Sequence, residues 1–301
     1  MTNKPPYRGR FAPSPSGALH FGSLIAATGS YLQARHQQGE WCVRIDDIDP
    51  PREVPGAAAH ILHSLEAYGF AWDGEVSYQS RRQDLYQQAL QQLQESDRIY
   101  PCGCTRSSLV EHLDPERPEV YPGICRDGLA PGAQERSLRV HCQRSIVQFE
   151  DRLQGPQCMD LALECGDFVV KRADGLIAYQ LATAIDDASQ GISEVVRGAD
   201  LLESTFRQVH LQRLLALPSP AYAHLPVATN ASGEKLSKKT RAIDITLLPV
   251  VESLYHVLLF LGQNPPVELR SASRDALWDW AIANWQFEDI PRQRQIECDK
   301  N

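Results

Sequence analysis

The stretch RFAPSPSGALHFGS, residues 10–23, constrains the fold more than any other part of the chain. It reads as a short strand, a loop restricted by Pro13, Pro15 and Gly17, and the start of a helix. From about Gly22 to Gln37 the apolar positions Leu24, Ala27, Tyr31 and Ala34 recur at helical spacing. The β-rich run Trp41 to Ile45 follows, and Pro50 and Pro51 then stop either periodicity. A second helix is expected from about Gly56 to Tyr68. This strand–helix–strand–helix rhythm predicts βαβ units and a mostly parallel sheet, an α/β fold of Rossmann type. Backbone N–H groups at a helix start after such a loop form an anion site. Gly17 and Gly22 allow a nucleotide to approach the backbone, and His20 places a donor where a phosphate would gain charge.

The remaining elements read less uniformly. Residues 81–98 are helical in pattern, and residues 100–135 are rich in Pro, Gly, Cys and Arg and aperiodic. Strand-like runs return at Ser145 to Phe149, Phe168 to Arg172, Ala178 to Ile185 and Glu194 to Arg197. An amphipathic helix is expected over Asp200 to Ala216, a connector over Pro218 to Pro226, and a helical tail from Leu247. This divides the chain into a first catalytic half (1–80), an insertion (81–167), a second catalytic half (168–225) and a lysine loop with a helical C-terminal subdomain (226–301).

The balance of 30 basic and 38 acidic residues gives a net charge of −8. Bulk charge therefore does not advertise nucleic acid, and a polynucleotide partner needs a local basic patch. No run of about 18 apolar residues and no signal-peptide pattern is present, so a cytoplasmic protein without a membrane or DNA partner is expected. Eight cysteines in a reduced setting favour metal binding or burial over disulfides. Cys102, Cys104 and Cys125, three thiols in the loop-rich insertion, suggest a structural zinc, which takes four ligands. His112 is one candidate for the fourth.

A second phosphate-handling element is KLSKK, residues 235–239, in a Gly- and Ser-containing loop. Lysines there can clamp a triphosphate and stabilise a leaving pyrophosphate.

Taken together, His20 to Ser23 resembles the HIGH signature of class I aminoacyl-tRNA synthetases, and Lys235 to Lys239 resembles their KMSKS loop. Arg10 to Gly17 resembles the RFAPSPTG opening of glutamyl- and glutaminyl-tRNA synthetases. Val43 to Asp49 resembles their LRIEDTD segment, and Ala178 to Ala184 and Val195 to Asp200 resemble their later amino-acid-site segments. The likeness covers roughly residues 8–240. Only about 60 residues follow the lysine loop, so their anticodon-binding domain is expected to be absent. That and the segment Ile48 to Glu53 resemble the glutamyl-Q tRNA(Asp) synthetase family, which attaches glutamate to queuosine in the anticodon loop.

The resemblance implies ATP-dependent activation of L-glutamate without tRNA, Mg²⁺ arriving with ATP, transfer to queuosine-bearing tRNA(Asp), and a monomer. It implies His20 and Lys238 as catalytic groups, and His20, Gly22, Ser23, Lys235, Ser237 and Lys238 around ATP. Glutamate falls to the stretch Arg10, Phe11, Ala12, Pro13 and Ser14, with Asp46, Tyr179 and Arg197. Arg suits a carboxylate because its planar fork binds both oxygens. Asp46 stands where the family has Glu, one methylene shorter, so a water or a shifted substrate bridges to the ammonium. The family also implies Tyr121 as the fourth zinc ligand. Rival expectations are a minimal glutamyl-tRNA synthetase charging a 3′ end, an idle tRNA-binding paralogue and a nucleotidylyltransferase.

Overall fold

The structure, a computed structural model, describes residues 6–230, 233 and 244–298. The chain opens with β1 (Arg8–Phe11), α1 (Phe21–His36), β2 (Glu40–Ile45), α2 (Ala57–Ala67) and β3 (Ser77–Tyr78). The middle carries α3 (Gln83–Glu95), β4 (Ile99–Cys102), α4 (Arg106–Val110), β5 (Ser137–Val140), β6 (Ile146–Asp151), β7 (Gly155–Asp160), α5 (Leu161–Glu164) and β8 (Val169–Lys171). Then come α6 (Tyr179–Ser189), β9 (Glu194–Gly198), α7 (Leu202–Leu214), β10 (Ala221–Leu225), β11 (Val227–Thr229), α8 (Val250–Phe260), α9 (Arg274–Asn284) and β12 (Gln295–Glu297).

Strands β1, β2 and β3 pair in parallel, as do β9 and β10. The two sheets meet where Ser193 N–H donates to the Arg8 carbonyl at 2.9 Å. The parallel order is thus β3-β2-β1-β9-β10, with β6 and antiparallel β7 beyond. It is the doubly wound order whose switch point lies between the first and fourth strands, where such folds bind ligands at the strands' carboxyl ends.

Residue alternation explains the two-sided burial. Phe11, Trp41, Val43, Ile45, Val196, Ala223 and Leu225 face one core with α1, α8 and α9. Val195 and Tyr222 face the other with α6 and α7. On that second face, Arg10 and Arg44 are almost fully buried, and α6 supplies their counterions.

Two local expectations are corrected. Ala178 to Ile185 is not a strand; it begins α6. The run looked strand-like because it is short and mixes apolar, small and polar residues, with Gln180 and Thr183 among them. A run of this length cannot be assigned to strand or helix from its period alone. The expected connector Pro218 to Pro226 holds β10, a strand of the parallel sheet; its flanking prolines hid five residues of alternation. The reading also missed β5 and β7, and the tail expected to be helical holds β12. The β4-β5-β8 sheet is antiparallel and lies beside the cysteines.

Candidate active site

At the carboxyl end of β1 the chain turns through residues 12–19 before entering α1. Backbone bonds anchor this turn: Asp46 N–H donates to the Pro13 carbonyl at 3.0 Å, and Val54 N–H to Pro15 at 2.9 Å. Gly17 has φ 134°, a conformation that favours glycine. His20 is the N-cap of α1, its Nδ1 accepting from Ser23 N–H at 3.3 Å. A neutral His20 ring with Nδ1 as acceptor carries its proton on Nε2, as a donor. No acidic residue occupies the first turn of α1, so the helix's own first turn does not offset its positive end.

Beneath the turn lies a buried ionic network. Arg10 grips Asp187 through Nε and Nη2, each at 3.2 Å. Arg44 donates to Asp46 and to Asp187, each at 2.7 Å. Arg82 is bound to Asp186 at 2.6 Å. Three cations therefore face three carboxylates. Burial acts to raise Asp187, but Arg10 and Arg44 outweigh it and hold it at about 2. For Asp46 burial wins, and despite Arg44 its pKa rises to about 6. Asp46 Oδ1 takes the Arg44 bond, and the residue lines a cavity, so an incoming ammonium would stabilise its charge.

Arg197, on β9, is different. It is 4% exposed, and its partners are neutral. Nε donates to His224 Nε2 at 3.2 Å, and Nη2 to Thr205 Oγ1 at 2.7 Å and Gln208 Oε1 at 2.8 Å. His224 is held by Asp151, with Nδ1 2.5 Å from Oδ2. Burial, joined by the nearby Arg197, pushes His224 down to about 4. It is therefore neutral at physiological pH, donating to Asp151 from Nδ1 and accepting from Arg197 at Nε2. Glu194, on the same strand, pairs with Arg152. Arg197 Nη1 is buried without any hydrogen-bond partner. A buried cation with an idle donor favours an anionic ligand, because an unmatched buried charge is expensive.

Arg10, His20, Tyr179, Arg197, Gly198 and Val227 line one cavity of about 430 Å³ at the switch point. Phe11, Ala12, Pro13, Ser14, Gly22 and Ser23 line it as well. Tyr179 is the first residue of α6 and is half-buried, not a core residue. Asp46 opens instead into a neighbouring cavity of about 400 Å³, which also reaches Tyr179. Lys235, Ser237 and Lys238 lie outside the described residues. The segments flanking their loop adjoin the first cavity: Val227 and Ala228 line it, and Ile245 N–H donates to the Leu19 carbonyl at 3.1 Å.

The cysteines converge as a separate centre. Ligand atoms of Cys102, Cys104 and Cys125 lie within 4.8 Å of one another. The Tyr121 hydroxyl is 3.5 Å from Cys102 Sγ and 3.7 Å from Cys104 Sγ, and Cys104 and Cys125 sulfurs are 3.5 Å apart. Donors about 2.0–2.3 Å from a tetrahedral zinc sit at about these separations, so the set fits that ion. His112 is exposed and bonds the Ser108 carbonyl instead. Burial opposes ionisation of Cys102, but hydrogen bonds from Tyr121 and Arg139 prevail and bring it down to about 7.

Comparison with known proteins agrees with this geometry. Residues 7–252 match the family described as tRNA synthetases class I (E and Q), catalytic domain. The glutamyl-Q tRNA(Asp) synthetase of Aromatoleum aromaticum is 53% identical over 295 residues, 98% of this chain and 93% of that protein. The chain belongs to the glutamyl-Q tRNA(Asp) synthetase family. A relative of the same name from Dechloromonas aromatica is 51% identical over 294 residues, covering 97% of this chain and 98% of its own. The crystal structure of the glutamate-tRNA synthetase from Elizabethkingia anophelis superposes with a TM-score of 0.80 at 24% identity, over 97% of this chain and 68% of that one. This last likeness concerns the fold.

Sequence reasoning found the residues that line the cavity and missed those that hold them. Asp187, Asp151, His224, Thr205 and Gln208 carry no local signal, because each acts through a contact distant in sequence.

Proposed function

We propose that the protein activates L-glutamate with ATP, without tRNA, and transfers the glutamyl group to the queuosine base of tRNA(Asp). The observation that carries this is the idle Arg197 Nη1 at the switch-point cavity. In this reading the glutamate side-chain carboxylate meets Arg197, with Arg10 and Tyr179 alongside, and Asp46 faces the ammonium. The α-carboxylate oxygen attacks the α-phosphorus of ATP. Pyrophosphate leaves, and a mixed anhydride forms. His20 Nε2–H and the open N-terminus of α1 stabilise charge on the phosphates, together with Lys235, Ser237 and Lys238. An acceptor hydroxyl then attacks the glutamyl carbonyl, AMP departs, and the hydroxyl proton leaves with it or with water.

Mg²⁺ accompanies ATP and neutralises phosphate charge. Cys102, Cys104, Cys125 and Tyr121 would hold a structural zinc, tying the turns around β4 together.

The test is glutamate-dependent ATP–pyrophosphate exchange without tRNA, followed by glutamylation of tRNA(Asp) with and without queuosine. Exchange that requires tRNA, or a product esterified at the 3′ end, would point to the minimal glutamyl-tRNA synthetase instead.

A further inference from the structure

The second cavity shares Ala12, Ser14, Ser16, Tyr179 and Leu201 with the first. An acceptor hydroxyl must come into contact with the activated carbonyl. The phosphate end of the first cavity, at His20, belongs to the nucleotide, so the acceptor needs a space that shares the opposite wall. The second cavity is such a space.

Its chemistry is the complement of the first. Most of its carboxylates are engaged. Asp46 accepts from Arg44, and Asp49 pairs with both Arg52 and Arg172. Asp47, beside the cavity, takes the N–H and hydroxyl of Ser80. Glu53 lines the cavity, yet its carboxylate has no cation among the described residues, and its Oε1 is buried without a hydrogen-bond donor. Burial, Asp47 and Asp49 all act to raise its pKa, so a cation is what it lacks. Gln79 supplies a second, independent sign. It is fully buried on the cavity wall. Its Nε2 donates to Asp186 at 2.7 Å, which fixes the amide and leaves Oε1 as an acceptor without a donor. The first cavity thus holds a cation with an idle donor, and the second holds two acceptor oxygens without a donor.

We propose that this second cavity is the acceptor subsite, and that Glu53 and Gln79 select an acceptor bearing a protonated amine close to its hydroxyl group. The inference rests on the functional reading above. Queuosine belongs to this chemical class, with a secondary ammonium beside a vicinal diol. A 3′-terminal ribose offers the diol without the cation, so Glu53 would tell the two acceptors apart.

Glu53→Gln tests this, because it keeps shape and removes charge. Wild type and variant are compared in glutamate-dependent pyrophosphate exchange without tRNA, and in glutamyl transfer to queuosine-bearing tRNA(Asp). The expected result is exchange within twofold of wild type and a transfer kcat/KM at least tenfold lower, partly restored in Glu53→Asp. Transfer within twofold of wild type overturns the inference alone. So does an equal loss in exchange, which would place Glu53 in activation. Wild-type protein that exchanges but does not transfer to queuosine tRNA overturns the functional reading, and the inference with it.

Discussion

Replacing Arg197 by lysine isolates the contact on which the proposed glutamate recognition depends. The substitution keeps one positive charge but loses the planar fork. In the structure, Nε and Nη2 of Arg197 are held by His224, Thr205 and Gln208, and Nη1 alone is without a partner. Its two hydrogens can donate to a carboxylate without disturbing the rest of the guanidinium. A hydrogen bond to a charged group contributes about 1.5–3 kcal/mol. A lysine at this depth would be drawn to the Thr205 and Gln208 oxygens, so the whole contact is lost, about 2–3 kcal/mol. At about 1.4 kcal/mol per decade, the glutamate KM should rise roughly 30- to 150-fold. The side-chain carboxylate is not a reacting group, so its binding is uniform and kcat should change little. Pyrophosphate exchange over a range of glutamate and of ATP concentrations reads this directly, with the KM for ATP unchanged. A glutamate KM within threefold of wild type, in a variant that unfolds at the wild-type temperature, would refute the reasoning.

Three further outcomes are expected. With Asp46 titrating near 6, glutamate KM should rise about tenfold per pH unit below that value as the carboxylate takes up its proton. Asp46→Asn should show a high KM with no such slope, and a wild-type KM flat from pH 5 to 8 would remove Asp46 from the ammonium site. The same raised pKa means that the fold favours protonated Asp46, so its contribution to stability is full below about 4 and is lost as pH rises through about 6. Asp151→Asn should raise glutamate KM about tenfold with ATP KM unchanged, because His224 loses the partner that keeps Nε2 an acceptor for Arg197; an unaltered KM would show that Arg197 orients itself. Protein purified without added zinc should carry about one equivalent of the metal, reduced in Tyr121→Phe and unchanged in His112→Ala. Less than a tenth of an equivalent in wild type would refute the metal site.

What the sequence disclosed depended on how local each signal was. The segment from Arg10 to Ser23 was legible because strand, loop and helix start are contiguous, and Gly17 marks its own unusual backbone. The cysteines were legible as a group, but the choice between Tyr121 and His112 was a question of distance that spacing alone left open. Ala178 to Ile185 was misread because so short a run of mixed residue types fits either period. Arg197 was chosen for its residue type, yet what sets it apart is what surrounds it: neutral partners from α7 and β10 and a carboxylate one residue further, through His224. Glu53 stood in view in the segment after Asp49, but its lack of a counterion becomes visible only when Arg52 and Arg172 are both seen to be bound to Asp49.

The pairing of β11 with β12 bears on the order in which this molecule assembles. Val227 to Thr229 lie in parallel register with Gln295 to Glu297, and the intervening chain runs through α8 and α9. A parallel pair cannot be closed by a tight turn, and closing so long a loop carries an entropic cost that delays it in folding. Val227 and Ala228 are also part of the wall of the first cavity. Much of the sheet can therefore form from nearer neighbours while that wall is still open. During refolding, recovery of secondary structure should precede recovery of ATP binding, and the interval between them measures how slowly β12 finds its place.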